Sequence, residues 1–162
     1  MLGEDLDKCA KGIIRQFNQS NEVVFIKTQG FDFIESSGAW ESVIRNLLGV
    51  DNPSVLCAIM YVTPRGLDLD WSQTERANDG HWITVFALLR LQKIIILDPW
   101  IDDTAYSHGY ATAINKMLLI VKIFSNLKGN EFNLRDWFYY VQRIHPRQPV
   151  GSVECGPFCL AY

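Results

Sequence analysis

His81, Asp98, Gln148 and Cys155 stand in that order along the chain and supply an imidazole, a carboxylate, a side-chain amide and a thiol. A thiol attacks a carbonyl only as thiolate, and a neighbouring imidazole is the usual base that deprotonates it. An imidazole serves best when a carboxylate fixes its tautomer. A glutamine amide can donate to the oxyanion that attack creates. His81 is followed directly by Trp82, and Gln148 lies seven residues before Cys155-Gly156.

Each residue also has an ordinary structural reading. A free cysteine is commonly buried, so Cys155 alone would be a core thiol. Cys159 lies one helical turn further on and reads as core. A Cys155/Cys159 redox pair is the sharper alternative, although the spacing is not Cys-x-x-Cys. His81 could be a strand-capping residue. His108 and His145 compete with it as base, and His145 is close to Gln148 but has no carboxylate at a matching spacing. Asp98 precedes Pro99 and could simply end a strand, while Asp102 and Asp103 read as helix caps. Gln148 could be a solvated loop residue. Trp82 could pack beside the imidazole, as a substrate-binding wall, or be ordinary core. No His or Cys pair has ligand spacing, so no metal is expected.

The elements that must position these groups follow from periodicity. Leu6 to Phe17 has helical spacing, and Val23 to Ile26 reads as a short strand. Trp40 to Leu48 repeats the helical period and stops at Gly49. Val55 to Val62 is a continuous apolar run, expected as a buried strand. Thr63 to Gly80 is polar and aperiodic, expected as a long surface loop. Trp82 to Leu89 and Ile94 to Leu97 are β-rich runs joined by "RLQK". Paired antiparallel, they bring their outer ends together, with His81 at one and Asp98 at the other. The register stays open, because the turn has no Asn-Gly or Asp-Gly. A helix follows with Tyr110, Ile114, Met117, Val121 and Phe124 as its apolar stripe, ended by "KGN". Trp137 to Ile144 is a last strand or a helix. Cys155 to Tyr162 reads as the first turns of a helix, where the dipole stabilises a thiolate and Pro157 is tolerated.

Composition bounds the function. The chain has 162 residues, 48% of them hydrophobic, with a net charge of −3 and four cysteines. That is one domain with a real core, residues 1–162. No basic run exists to bind phosphate backbones, so nucleic acid is not the expected partner. No stretch reads as a signal peptide or a membrane span. The cysteines are too scattered for a disulfide scaffold, so a reducing intracellular compartment, cytoplasm or nucleus, is expected. The chain stops seven residues after Cys155.

The segments "GHWITVFALLRLQKIIILDPW" and "PRQPVGSVECGPFCLAY" resemble the adenovirus-type and SUMO-type cysteine proteases. The match lies in His81-Trp82, Asp98, Gln148 and Cys155-Gly156 followed by Phe158, and it runs from about Cys57 to the end. The Gln-to-Cys interval and "CAIMYVTPR" lean toward the adenovirus branch. Glu154 stands where SUMO proteases usually carry Asp. The resemblance implies an α+β fold, with a mixed central sheet flanked by helices and the nucleophile at a helix N-terminus. It implies a peptidase or isopeptidase that needs no cofactor, and, since such proteases continue through a longer helix after the nucleophile, a domain expected to be cut short at its C-terminus here. Its protein substrate would be a ubiquitin-like protein or a viral or mobile-element precursor, cleaved after a Gly-Gly or Gly-x-Gly segment. Three alternatives stay open: an inert module binding a ubiquitin-like protein, a remnant of a viral or mobile-element protease, and an effector-type acetyltransferase.

Overall fold

The computed structural model describes residues 3–17, 22–26, 53–63, 66–67, 80–99, 107–143 and 159–160. The central element is a mixed β-sheet. Its strands are β1 (Val23–Phe25), β2 (Val55–Thr63), β3 (Gly66–Leu67), β4 (His81–Leu88), β5 (Lys93–Asp98) and β6 (Phe138–Arg143). The order is β1-β2-β4-β5-β6, with β3 paired to the end of β2. β1 runs parallel to β2, the β2-β4-β5 centre is antiparallel, and β6 is parallel to β5.

The two faces are built by strict alternation of side chains. On one face Val62, Ile83, Val85, Ile94 and Ile96 pack against helix α2 (Ser107–Leu127), which contributes Tyr110, Ala113, Ile114, Met117 and Val121. On the other face Cys57, Ile59, Tyr61 and Trp82 meet helix α1 (Gly3–Phe17) through Leu6 and Ala10. With both faces of β2 covered, its whole length reads as one apolar run, as strands buried on both sides do. Each fully buried Ile or Met here contributes roughly 1.5–3 kcal/mol.

Helix α2 ends as its "KGN" sequence predicts. Gly129 adopts φ +71, the Asn130 N–H donates to the Ser125 carbonyl at 2.9 Å, and the Gly129 N–H donates to Asn126 at 3.0 Å. This is the glycine-terminated cap that satisfies otherwise orphaned carbonyls. The expected stripe of α2 is buried at Tyr110, Ile114, Met117 and Val121, while Phe124 is half-buried. In α1 the exposed Cys9 leaves the stripe to Leu6 and Ala10.

Two sequence expectations need correction. The stretch after Thr63 is not loop throughout, because Gly66–Leu67 pairs back onto Val62 and Thr63 across the two residues Pro64 and Arg65. The turn read from "RLQK" is a 3-10 turn over Leu89–Leu91 followed by Gln92 at φ 52. The expected helix from Trp40 to Leu48 and the caps Asp102 and Asp103 lie outside the described residues. Of the segment from Cys155 to Tyr162, the described part is the helical turn at Cys159 and Leu160.

Candidate active site

The β4–β5 hairpin sets the geometry. Leu88 pairs with Lys93 at its closed end and Thr84 with Leu97 near its open end. One residue on, Asp98 falls level with Ile83, so its diagonal neighbour on the same face is His81. Diagonal positions are within reach of long side chains. The following Pro99 has no N–H to extend the ladder, which helps end the strand at Asp98.

The structure brings His81 and Asp98 together on the α2 side of the sheet. The imidazole Nε2 lies 3.6 Å from Asp98 Oδ2, and the two residues are only 3% and 2% exposed. That distance is longer than the 3.2 Å or so of a hydrogen bond, so the contact is a close electrostatic one. A second group meets the same atom: the Tyr110 hydroxyl, reaching across from α2, donates to Asp98 Oδ2.

Burial governs the imidazole's charge. Removal from water lowers the His81 pKa to about 4. That disfavours the imidazolium by about 3 kcal/mol, so the ring is neutral at pH 7. The carboxylate beside Nε2 favours the tautomer with its proton there, in which Nδ1 is the basic nitrogen. Such a ring can accept a proton from a group on its Nδ1 edge.

Trp82 follows the opposite course. Alternation turns it to the other face, where its ring meets Tyr61 edge-on at 5.2 Å and is 4% exposed. The structure thus places Trp82 in the core and not beside the imidazole. The same face receives the turn at Cys159. The Thr84 hydroxyl donates to the Cys159 carbonyl at 3.2 Å, and the buried Cys159 packs with Leu6, Phe25 and Trp82. This contact ties the C-terminal segment to the strand that begins at His81.

Gln148, Cys155, Gly156 and Phe158 lie outside the described residues, as does His145. His108 is exposed on α2. Cys57 is buried in β2, and desolvation pushes its thiol up to about 12, so it is no nucleophile at neutral pH. Among the described residues no group of three or more His, Cys, Asp or Glu could hold a metal ion. No helix among them is long and apolar enough to cross a membrane.

Three residues near the site escape a reading of motifs. Tyr110 sits in an apolar helical stripe, and its signal is that a buried phenol needs an acceptor. Thr84 sits in an apolar strand, and its hydroxyl gives the same signal. Gly80 precedes His81, and a Cβ there would lie 2.5 Å from the Tyr61 ring and 2.7 Å from the Val62 carbonyl oxygen.

No protein-family model matches the sequence, and no curated protein matches it. Solved structures do match the fold. One is a de-sumoylating protease at 11% identity and TM-score 0.58, covering 96% of this chain and 57% of its own. Another is SUMO protease Ulp1 with its catalytic cysteine oxidised to a sulfinic acid, at 13% identity and TM-score 0.60, covering 98% and 61%. A third is the Xanthomonas campestris effector protein XopD bound to ubiquitin, at 12% identity and TM-score 0.53, covering 99% and 70%. The chain thus spans less than two thirds of the length of the first two. It is an α+β domain with the fold of the SUMO-type cysteine proteases.

Proposed function

We propose that this domain is a cysteine peptidase or isopeptidase acting on a ubiquitin-like protein, with Cys155 as nucleophile and His81 as its base. The observation that carries this reading is the buried His81–Asp98 pair at the open end of one hairpin, 3.6 Å apart. A buried imidazole beside a carboxylate, in a fold shared with cysteine proteases, is the orienting half of a thiol-activating site.

In this mechanism the Cys155 Sγ–H proton passes to His81 Nδ1 as the Sγ–carbon bond to the substrate carbonyl forms. Asp98 holds the ring and stabilises the imidazolium. Gln148 and the Cys155 backbone N–H donate to the oxyanion. The tetrahedral carbon then expels the amine, which takes the proton from His81 Nδ1. Water, deprotonated by the same nitrogen, cleaves the thioester and restores the thiol.

Magnitudes bear on the resting state. Burial opposes the imidazolium by about 3 kcal/mol. A thiolate at about 4 Å would offset this by roughly 4 kcal/mol at an effective dielectric constant near 20. Moving a proton from an ordinary thiol to an ordinary imidazole costs about 3 kcal/mol more, so the ion pair needs further stabilisation of the thiolate, such as a helix N-terminus supplies, to compete with the neutral pair.

The substrate reading rests on the resemblance: a Gly-Gly or Gly-x-Gly segment, cleaved after Gly, in a reducing compartment that keeps Cys155 free. A panel of ubiquitin-like proteins carrying C-terminal electrophiles tests it. Covalent capture of one probe, abolished in Cys155→Ala, supports the peptidase. Binding of a probe without capture, with Cys155 unreactive, supports an inert binding module instead.

A further inference from the structure

Tyr110 belongs to α2, on the layer opposite the hairpin's own backbone, yet its hydroxyl ends on Asp98 Oδ2. That same oxygen faces His81 Nε2 at 3.6 Å. Both Tyr110 and Asp98 are buried, at 6% and 2% exposure. A buried carboxylate needs donors, and a buried phenol needs an acceptor. Here each meets the other's need. Two consequences follow for His81. The carboxylate cannot turn Oδ2 away from the ring without giving up a charge-assisted hydrogen bond. The hydroxyl also takes a share of the charge on Oδ2, which weakens the pull of Asp98 on a protonated ring.

We propose that Tyr110 is a positioning residue of the site, its hydroxyl setting the orientation and effective charge of Asp98 and, through Asp98, the tautomer and basicity of His81. The catalytic meaning of this device rests on the peptidase reading, but the device itself does not. Among the described residues, the ionisable groups at this end of the sheet are His81, Asp98 on β5 and Tyr110 on α2, and Arg143 of β6 is level with Asp98 in the strand register. β2 presents Val62 opposite His81, and His108 of α2 is exposed.

The test is ring-15N NMR of histidine in the resting protein, without substrate. Tyr110→Phe keeps the ring that packs in the core and removes only the hydroxyl. Freed of the competing donor, Asp98 should bind the imidazolium more strongly, raising the proton affinity of His81 about tenfold, the effect of one hydrogen bond to a charged group. Site-specific 3-fluorotyrosine at position 110 is the second arm. It keeps the fold and makes a stronger donor, so the proton affinity should fall. Opposite displacements in the two proteins support the proposal. A His81 spectrum and titration unchanged in either folded variant overturn it, even if the melting temperature drops, because that outcome marks a purely structural tyrosine. If Cys155 proves inert while the two displacements stand, the peptidase reading fails and the Tyr110 assignment survives.

Discussion

Thr84 holds Cys159: its hydroxyl donates to the Cys159 carbonyl at 3.2 Å inside the core. Thr84 lies three residues after His81 on β4, and Cys159 four residues after Cys155. One hydrogen bond therefore couples the strand of the proposed base to the segment of the proposed nucleophile. Thr84→Val removes the donor at nearly constant shape and leaves a buried carbonyl unsatisfied. It should cost about 1–3 kcal/mol, read as a lower urea midpoint at unchanged slope. It should also slow alkylation of Cys155. A variant as stable as wild type would remove Thr84 from this role.

Gly80 is held to a missing side chain by its neighbours. A Cβ there would meet the Val62 carbonyl oxygen at 2.7 Å, and backbone cannot swing aside as a flexible side chain can. Gly80→Ala should destabilise by roughly 1–3 kcal/mol, the usual cost of overpacking. The displacement would fall at the first residue of β4, which is His81, so His81 chemical shifts should move as well. Chemical denaturation and NMR check both.

His81 makes stability depend on pH. Its folded pKa is about 4, against 6.5 for a free imidazole. Between those values the unfolded chain binds a proton that the folded chain does not. Stability from this group is therefore full above about pH 6.5 and falls with pH until about pH 4, by about 3 kcal/mol in all. His81→Gln should flatten this part of the curve. Urea unfolding of both proteins at pH 5 and pH 7.5 checks the sign. A wild-type curve as flat as the variant's would contradict the buried neutral ring.

Gln148, if it donates to the oxyanion, acts in the transition state more than in the bound complex. Gln148→Ala should slow turnover by about 100-fold or more while KM changes little. Gln148→Glu should be worse, since a carboxylate repels the developing charge. Steady-state kinetics on a captured substrate class would show it. Near-normal turnover in the alanine variant would leave the hole to backbone N–H groups.

Much of this architecture is legible in the sequence, for reasons that differ by element. α2 is plain because its apolar stripe has helical period and Gly129 supplies the stop. The β4–β5 hairpin is plain because two short apolar runs flank a four-residue polar link. Its register is not, because Gln92 enters the left-handed region at φ 52, where glycine or asparagine would have announced itself. The parallel pairing of β6 with β5 is hidden for another reason. It is a non-local contact, and Phe138 and Tyr139 are both 66% exposed, so no buried face marks the strand. At the site, His81 and Asp98 are legible as the two outer ends of one hairpin. Which way Trp82 points depends on alternation from His81, and that sends it to the opposite face. Tyr110 reads as one more apolar position, because the stripe records the ring and not the hydroxyl.

The proposed function requires that His81, held by Asp98, activate Cys155. Iodoacetamide labelling at pH 6, followed by mass mapping of Cys9, Cys57, Cys155 and Cys159, tests it most directly in wild type and His81→Ala. Cys155 should label first in wild type, and its rate should fall about tenfold or more without the imidazole, in proportion to the thiolate lost. Cys57, with its thiol raised to about 12, should stay unlabelled until the protein unfolds. Faster labelling of Cys9 or Cys159 than of Cys155, or a Cys155 rate indifferent to the loss of His81, would contradict the claim.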